Sequence, residues 1–175
     1  MAKIIVVDLD RCLGCKSCEL ACGLAHSEGK TLVEAVGAES PPQARVHVEP
    51  AGRYGLPLQC RHCEDAPCIA ICPTEAIART SEDAPVLIDQ DRCIGCKYCM
   101  LVCPFGVISV SREGRAMIKC DMCIDRTEAG EEPACVEACP TGALKFQETD
   151  EWLARRRRRS AELLRIASAP EQQAD

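Results

Sequence analysis

Sixteen cysteines in 175 residues constrain this fold more than any other feature of the sequence. They fall into four groups of four, and no cysteine is left over. Only five residues are aromatic, so we do not expect a core filled by bulky side chains. Small cysteine-rich folds replace such a core with disulfides or with metal. The groups are Cys12, Cys15, Cys18 and Cys22; Cys60, Cys63, Cys68 and Cys72; Cys93, Cys96, Cys99 and Cys103; and Cys120, Cys123, Cys135 and Cys139.

The N-terminus favours metal over disulfides. "MAKIIVVDLDRC" has no basic region followed by an apolar stretch and a cleavage site, so we expect no leader. No segment approaches the roughly 18 apolar residues of a membrane span. We therefore expect a soluble, cytoplasmic protein without a membrane span, whose thiols stay reduced and available to metal.

The four groups repeat in alternation. "DLDRCLGCKSC" at 8–18 returns as "DQDRCIGCKYC" at 89–99. "APCIAICPTEAI" at 66–77 is similar to "PACVEACPTGAL" at 133–144. The chain thus contains an internal duplication, with motifs in the order I, II, I′, II′.

The spacing within the motifs indicates iron–sulfur clusters. C-x2-C-x2-C places three thiolates around one cubane cluster, and a fourth cysteine followed by proline ligates the neighbouring cluster in two-cluster bacterial ferredoxins. Zinc prefers separated pairs of ligands around a single ion. The last group, C-x2-C-x11-C-x3-C, would suit zinc by itself, but it shares the "CPTGAL" ending with the second group. A disulfide scaffold would not explain four related spacings. We predict four [4Fe-4S] clusters.

Here the chain resembles a known family. "CRHCEDAPCIAICPTEAI" and "KCDMCIDRTEAGEEPACVEACPTGAL", flanked by the two "DRCxGCKxC" motifs, are similar to four-cluster ferredoxin-type electron-transfer subunits. That family accompanies formate dehydrogenases, hydrogenases, carbon monoxide dehydrogenases, molybdopterin reductases and tungsten aldehyde oxidoreductases. The resemblance covers residues 4 to about 146 and matches every ligand position. The chain departs from it where Gly23, instead of proline, follows Cys22, and it lacks long insertions and a membrane tail.

The resemblance implies a nested pairing, in which motifs two and three form an inner unit and motifs one and four an outer unit. The spacing alone also allows sequential pairing of one with two and three with four. We name the implied ligand sets for use below. They are set 1, Cys12, Cys15, Cys18 and Cys139; set 2, Cys120, Cys123, Cys135 and Cys22; set 3, Cys60, Cys63, Cys68 and Cys103; and set 4, Cys93, Cys96, Cys99 and Cys72.

The expected fold is α+β, with two pseudosymmetric, nested bacterial ferredoxin-like modules and a C-terminal helix. Residues 1–148 form the cluster domain, and residues 149–175 form a basic helix and tail. Within the first, the outer module is 1–30 and 115–148, the inner module 56–110 and an excursion 31–55. The patterns predict strands at 4–8, 45–49 and 86–89, helices at 16–27, 97–102 and 149–167, and a polar loop at 125–134.

The predicted function is a relay of single electrons. Four clusters use all sixteen cysteines, so we expect no catalytic site. No dinucleotide fingerprint appears, so electrons should pass between a catalytic oxidoreductase subunit and another redox protein, of flavin or ferredoxin type. We favour a tungsten or molybdenum pterin enzyme acting on aldehyde or formate. A cluster-carrying scaffold or maturation protein and a free-standing polyferredoxin remain alternatives. The net charge of −6 argues against nucleic acid as a partner.

Several basic side chains near the motifs have two interpretations. Lys16, Lys97 and Lys119 lie beside ligands, where they could raise a cluster's reduction potential or be solvated surface lysines. His26, His47 and His62 are superfluous as ligands, although His62 in "CRHC" could donate to a cluster sulfur. "RRRRR" at 155–159 is either a solvated stretch of helix or a docking element for an acidic partner or another copy of the chain.

Overall fold

The structure is a computed structural model that describes residues 3–167, with the backbone alone for 166 and 167. The predicted tail beyond 167 lies outside the described residues. The strands are β1 (Lys3–Val7), β2 (His47–Ala51), β3 (Tyr54–Leu58), β4 (Ile77–Ala78), β5 (Leu87–Ile88), β6 (Ser109–Val110), β7 (Met117–Ile118) and β8 (Leu144–Glu148). The helices are α1 (Ser17–Ala25), α2 (Leu32–Gly37), α3 (Pro67–Ala70), α4 (Tyr98–Val102), α5 (Ile124–Glu128), α6 (Ala134–Glu137) and α7 (Thr149–Ala167).

The strands form two-stranded antiparallel sheets, β1 with β8, β2 with β3, β4 with β5 and β6 with β7. The β1–β8 pair joins the start of the chain to its last motif, with Ile5 opposite Phe146 and Lys3 opposite Glu148. This sheet places motif one beside motif four, although more than a hundred residues separate them.

The short helices pair in the same nested order. α1, from motif one, packs against α6, from motif four, and α3 packs against α4 between motifs two and three. Buried residues form two apolar clusters that follow this division. One contains Ile5, Val46, Val48, Val136 and Leu144 with cysteines of motifs one and four. The other contains Ile77, Val86, Ile108 and Met117 with cysteines of motifs two and three.

Most predicted elements are present with small changes in their bounds. The strands at 4–8 and 86–89 correspond to β1 and β5, and the helices at 16–27, 97–102 and 149–167 to α1, α4 and α7. The alternation of apolar positions was therefore sufficient to find these elements.

Three details differ from the sequence prediction. The excursion contains a hairpin, β2–β3, instead of one strand at 45–49, because Gly52 takes a positive φ of 62° and allows a two-residue turn. The loop at 125–134 begins with α5. α2 was not predicted at all; Thr31 caps it by accepting a hydrogen bond from the Glu34 N–H at 3.4 Å.

Gly23 explains why α1 is longer than α4. α1 continues beyond Cys22 to Ala25, whereas α4 ends at Val102, just before Cys103 and Pro104. Proline lacks an N–H and disfavours helical backbone in the residue before it, so "Cys-Pro" ends a helix. "Cys-Gly" does not. The additional turn brings His26 to the C-terminal end of α1.

Candidate metal centres

All sixteen cysteines are free thiols, none of them in a disulfide. The four cysteines of set 1 line one cavity, with about 320 Å³ of empty space. The four cysteines of set 3 line another, with about 350 Å³. Each space is several times the roughly 30 Å³ that a water molecule occupies in the liquid. These cavities are therefore wider than a site for a single ion, and four sulfur donors face each of them.

Each cavity joins three cysteines of one motif to one cysteine of a distant motif. Cys139 of motif four completes set 1, and Cys103 of motif three completes set 3. Sequential pairing would instead bring Cys72 to the first motif. The lining of both cavities therefore agrees with the nested arrangement.

Set 2 lies in the buried core of the outer elements. Cys22, Cys120 and Cys135 belong to one apolar cluster. Burial raises the pKa of the Cys135 thiol, and the charges of Cys120, Cys22 and Cys123 add to this effect. The structure thus brings Cys22 of motif one close to the three cysteines of motif four.

Set 4 lies on the opposite side, in the second apolar cluster. Cys72, Cys93 and Cys99 pack there together. Burial raises the pKa of Cys99 to about 11; the Met100 N–H lowers it, and the charges of Cys93, Cys68 and Cys96 raise it further. These buried thiols are protonated before metal binds, so cluster binding releases protons.

The backbone of motifs one and three is built in the same way. Gly14 and Lys16 have φ of 64° and 63°, and the equivalent Gly95 and Lys97 have 67° and 68°. At Gly95 an added Cβ would also lie 2.6 Å from the Arg115 carbonyl oxygen, so only glycine fits. These left-handed residues turn the loop back on itself between consecutive cysteines.

Backbone N–H groups donate to several of the sulfurs. Such hydrogen bonds orient ligands and influence the potential of an iron–sulfur centre. The donors and acceptors are His62 N to Cys60 Sγ at 3.4 Å, Met122 N to Cys120 Sγ at 3.4 Å, Met117 N to Cys93 Sγ at 3.4 Å, and Arg45 N to Cys22 Sγ at 3.2 Å.

The two "Cys-Pro-Thr" segments share one arrangement. Cys72 Sγ lies 3.8 Å from Thr74 Oγ1, and Cys139 Sγ lies 3.8 Å from Thr141 Oγ1. Partial burial opposes ionisation of both thiols, but hydrogen bonds from backbone N–H groups and the threonine hydroxyl leave the pKa of each below its usual value. The cysteines contributed to a neighbouring set are therefore prepared as thiolates.

Of the three lysines beside ligands, only Lys119 is buried, with 4% of its surface exposed. Its Nζ donates to the carbonyl oxygens of Val86 and of Cys120, the latter at 3.1 Å. Burial raises the pKa of Cys68, and the positive charge of Lys119 opposes that rise. Lys16 is exposed and pairs with Glu19 at 3.4 Å, and Lys97 is exposed as well. The interpretation as solvated surface lysines is thus wrong for Lys119 alone.

The three histidines have different environments. His47 lies in β2 opposite Leu58. His62 accepts a hydrogen bond at Nδ1 from the Val86 N–H at 3.0 Å. Burial, together with the charge of Lys119, lowers the pKa of His62 to about 3, so its ring is neutral at ordinary pH.

His26 forms a polar network next to set 2 that the sequence did not reveal. Its Nε2 donates to Asp121 Oδ1 at 3.0 Å, and Arg45 donates to Asp121 Oδ2. Burial alone would lower the pKa of His26, but its hydrogen bonds to Asp121 and Cys22 raise it to about 9. One ligand atom each from His26, Asp121 and Cys123 lie within 4.8 Å of one another. Since Cys123 belongs to set 2, we interpret the other two as neighbours of that set.

Comparison with known proteins identifies the family. Residues 53–149 match a model described as "4Fe-4S dicluster domain", and residues 9–25 match one described as "4Fe-4S binding domain". The chain therefore belongs to the 4Fe-4S dicluster domain family. The prediction of a ferredoxin-type, [4Fe-4S]-binding protein is confirmed by this membership; the number of clusters stays a prediction.

Relatives from three organisms match most of the sequence. "Iron-sulfur protein" of Rhodospirillum rubrum is 44% identical, covering 91% of this chain and 90% of that protein. "Thiosulfate reductase electron transfer subunit PhsB" of Salmonella typhi is 40% identical, covering 85% and 77%. One chain of the anaerobic dimethyl sulfoxide reductase of Escherichia coli is 37% identical, covering 94% and 80%.

The residues fit the cofactor of this family. Four sulfur donors face each of two cavities, and burial and backbone donors surround the other two sets. Within residues 3–167 no helix combines the length and apolar character needed to cross a membrane.

Proposed function

We propose that the chain relays single electrons through four [4Fe-4S] clusters, held by sets 1 to 4, between a catalytic oxidoreductase subunit and a second redox protein. A [4Fe-4S] cluster, when bound, accepts and releases one electron at a time. Cysteine thiolates hold it, backbone N–H groups orient it, and the surrounding chain excludes water. The chain itself has no catalytic role in this proposal.

The order of the sets along the molecule carries the proposal. The charge of Cys18 in set 1 contributes to the raised pKa of Cys135 in set 2. Burial raises the pKa of Cys120 in set 2 to about 12, and the charge of Cys60 in set 3 adds to this effect. Likewise, Cys68 in set 3 influences Cys99 in set 4. Neighbouring sets are therefore in close electrostatic contact in the order 1, 2, 3, 4, which supports a continuous path.

The two ends of this order have exposed apolar residues in equivalent positions. Leu13, in the loop of set 1, is 73% exposed, and Ile94, in the loop of set 4, is 66% exposed. An exposed apolar side chain next to a redox centre suits contact with another protein. Two such ends support one partner for donation and another for acceptance.

The identity of the catalytic partner is a finer proposal. The dimethyl sulfoxide and thiosulfate reductase proteins named above are relatives, and their names do not favour the tungsten or molybdenum pterin enzyme for aldehyde or formate that the sequence suggested. We therefore propose only a catalytic subunit encoded separately from this chain, and we expect it to copurify with the chain.

Anaerobic purification followed by iron analysis and redox titration tests the proposal. We expect about sixteen irons per chain and clusters that become reduced during turnover of the copurifying enzyme. About four irons would contradict the four-cluster arrangement. Clusters that stay oxidised during turnover would favour the scaffold or maturation protein instead.

A further inference from the structure

His62 carries a buried polar atom that has no partner in the structure. Its side chain lines the cavity of set 3, together with Cys60, Cys63, Cys68 and Cys103. Among residues 3–167 no donor or acceptor reaches its Nε2, which is shielded from solvent. A buried polar group without a partner is unfavourable, so its presence in a cofactor cavity indicates a partner outside the protein.

The hydrogen bond at the other ring nitrogen shows what this atom offers. The Val86 N–H donates to His62 Nδ1 at 3.0 Å, so Nδ1 carries no proton. In a neutral imidazole the proton then lies on Nε2. The unpartnered atom is therefore an N–H donor, and it needs an acceptor within the cavity.

The Val86 peptide holds two groups in this region. Its N–H fixes the ring of His62, and its carbonyl oxygen accepts a hydrogen bond from the buried Lys119 ammonium. The ring cannot rotate without losing the first bond, and the cation beside it disfavours protonation of Nδ1. The imidazole is thus held as a neutral donor toward set 3.

We infer that His62 donates a hydrogen bond from Nε2 to a sulfur of the cluster bound by set 3 and raises the reduction potential of that cluster above its value without the donor. The inference rests on the proposed function for the presence of the cluster. A donor to sulfur favours the reduced, more negative state. His62 is a positioning and tuning residue and not a ligand, because four cysteines already face the cavity.

The chain supplies its own precedent for the substitution. Met122 in "CDMC" occupies the position of His62 in "CRHC". Both have positive φ, 48° for His62 and 59° for Met122, and both donate from the backbone to the sulfur two residues earlier at 3.4 Å. His62→Met therefore places in set 3 a side chain that the equivalent loop already accommodates, and it removes only the donor.

Redox titration of the full chain, purified anaerobically and monitored by electron paramagnetic resonance, tests the inference. In His62→Met we expect one cluster to become harder to reduce, with a fall of about tenfold in its reduced fraction at a fixed potential, equivalent to about 59 mV for one electron. The iron content should equal that of the native protein. His47→Met, remote from this cavity, should leave every potential unchanged.

Selective ¹⁵N-histidine labelling gives a second readout. A hyperfine coupling from histidine nitrogen to the reduced cluster should be present in the native protein and in His47→Met but absent in His62→Met. His62→Gln, which keeps an N–H donor, should lose the coupling and retain much of the potential. It serves the same test should His62→Met bind less iron. Full iron with unchanged potentials, or a coupling that survives removal of His62, would overturn the inference, whereas a low iron content in the native protein would instead contradict the proposed function.

Discussion

Gln59 and Lys119 occupy equivalent positions, each directly before the first cysteine of its motif, and each reaches a backbone carbonyl near the other motif pair. Gln59 Nε2 donates to the Ile5 oxygen at 3.4 Å, and Lys119 Nζ donates to the Val86 oxygen. Both side chains are buried. The two contacts hold the inner and outer elements together, but only one of them introduces a charge.

Lys119→Gln should therefore lower the reduction potential of the cluster in set 3. The substitution removes a buried cation while it keeps an amide donor of the kind used at the equivalent Gln59. We expect a shift on the order of 59 mV, a tenfold change for one electron, with the iron content unchanged. Redox titration against the exposed control Lys97→Gln checks this. A similar shift in the control would show a general charge effect.

Gly95→Ala should impair folding of the set 4 loop. The new Cβ would lie 2.6 Å from the Arg115 oxygen, and the backbone has a φ of +67°. Gly106 has a φ of +62° and open space around it, so Gly106→Ala isolates the backbone cost of about 1–2 kcal/mol. We expect Gly95→Ala to lose more unfolding free energy than this control, measured by anaerobic urea unfolding. Equal losses would show that the contact with Arg115 relaxes.

Cys139→Ser should change the same cluster as Cys15→Ser. Both residues line one cavity, so their substitution should alter one and the same component of the electron paramagnetic resonance spectrum. Cys135→Ser should alter a different component, although it is closer to Cys139 in sequence. If Cys139→Ser instead shared a component with Cys96→Ser, the sequential pairing would be correct.

Deletion of 149–175 should disrupt assembly with a partner and leave the clusters in place. α7 contacts the remainder of the chain mainly at β8, and its arginine run makes an exposed ion pair of 3.8 Å between Arg159 and Asp10, a type of contact that stabilises little. Gel filtration and iron analysis of the truncated chain check this. Changing Arg155 to Arg159 to glutamine in the full chain separates the effect of charge from that of the helix. An unaltered complex after truncation would contradict a docking role.

The cysteine spacing and the motif repeat were enough to predict the cofactor type and the ligand sets that line the two cavities. They could not show which lysine is buried, because Lys16, Lys97 and Lys119 all lie beside a ligand in sequence. The contact between His26 and Asp121 joins residues 95 positions apart, so no local pattern reveals it. Gly23 was a visible signal: the absent proline predicts a longer helix α1, which is what brings His26 to Asp121.

The pairing of β1 with β8 has a consequence for synthesis. A nascent chain exposes the apolar strand Lys3–Val7 early, but its partner Leu144–Glu148 emerges from the ribosome only near the end. In the nested arrangement sets 3 and 4 are complete once Cys103 has emerged, whereas set 1 waits for Cys139. Iron–sulfur loading of the inner half can then precede translation of the outer half, and the unpaired first strand is the part of the chain most in need of a chaperone during that interval.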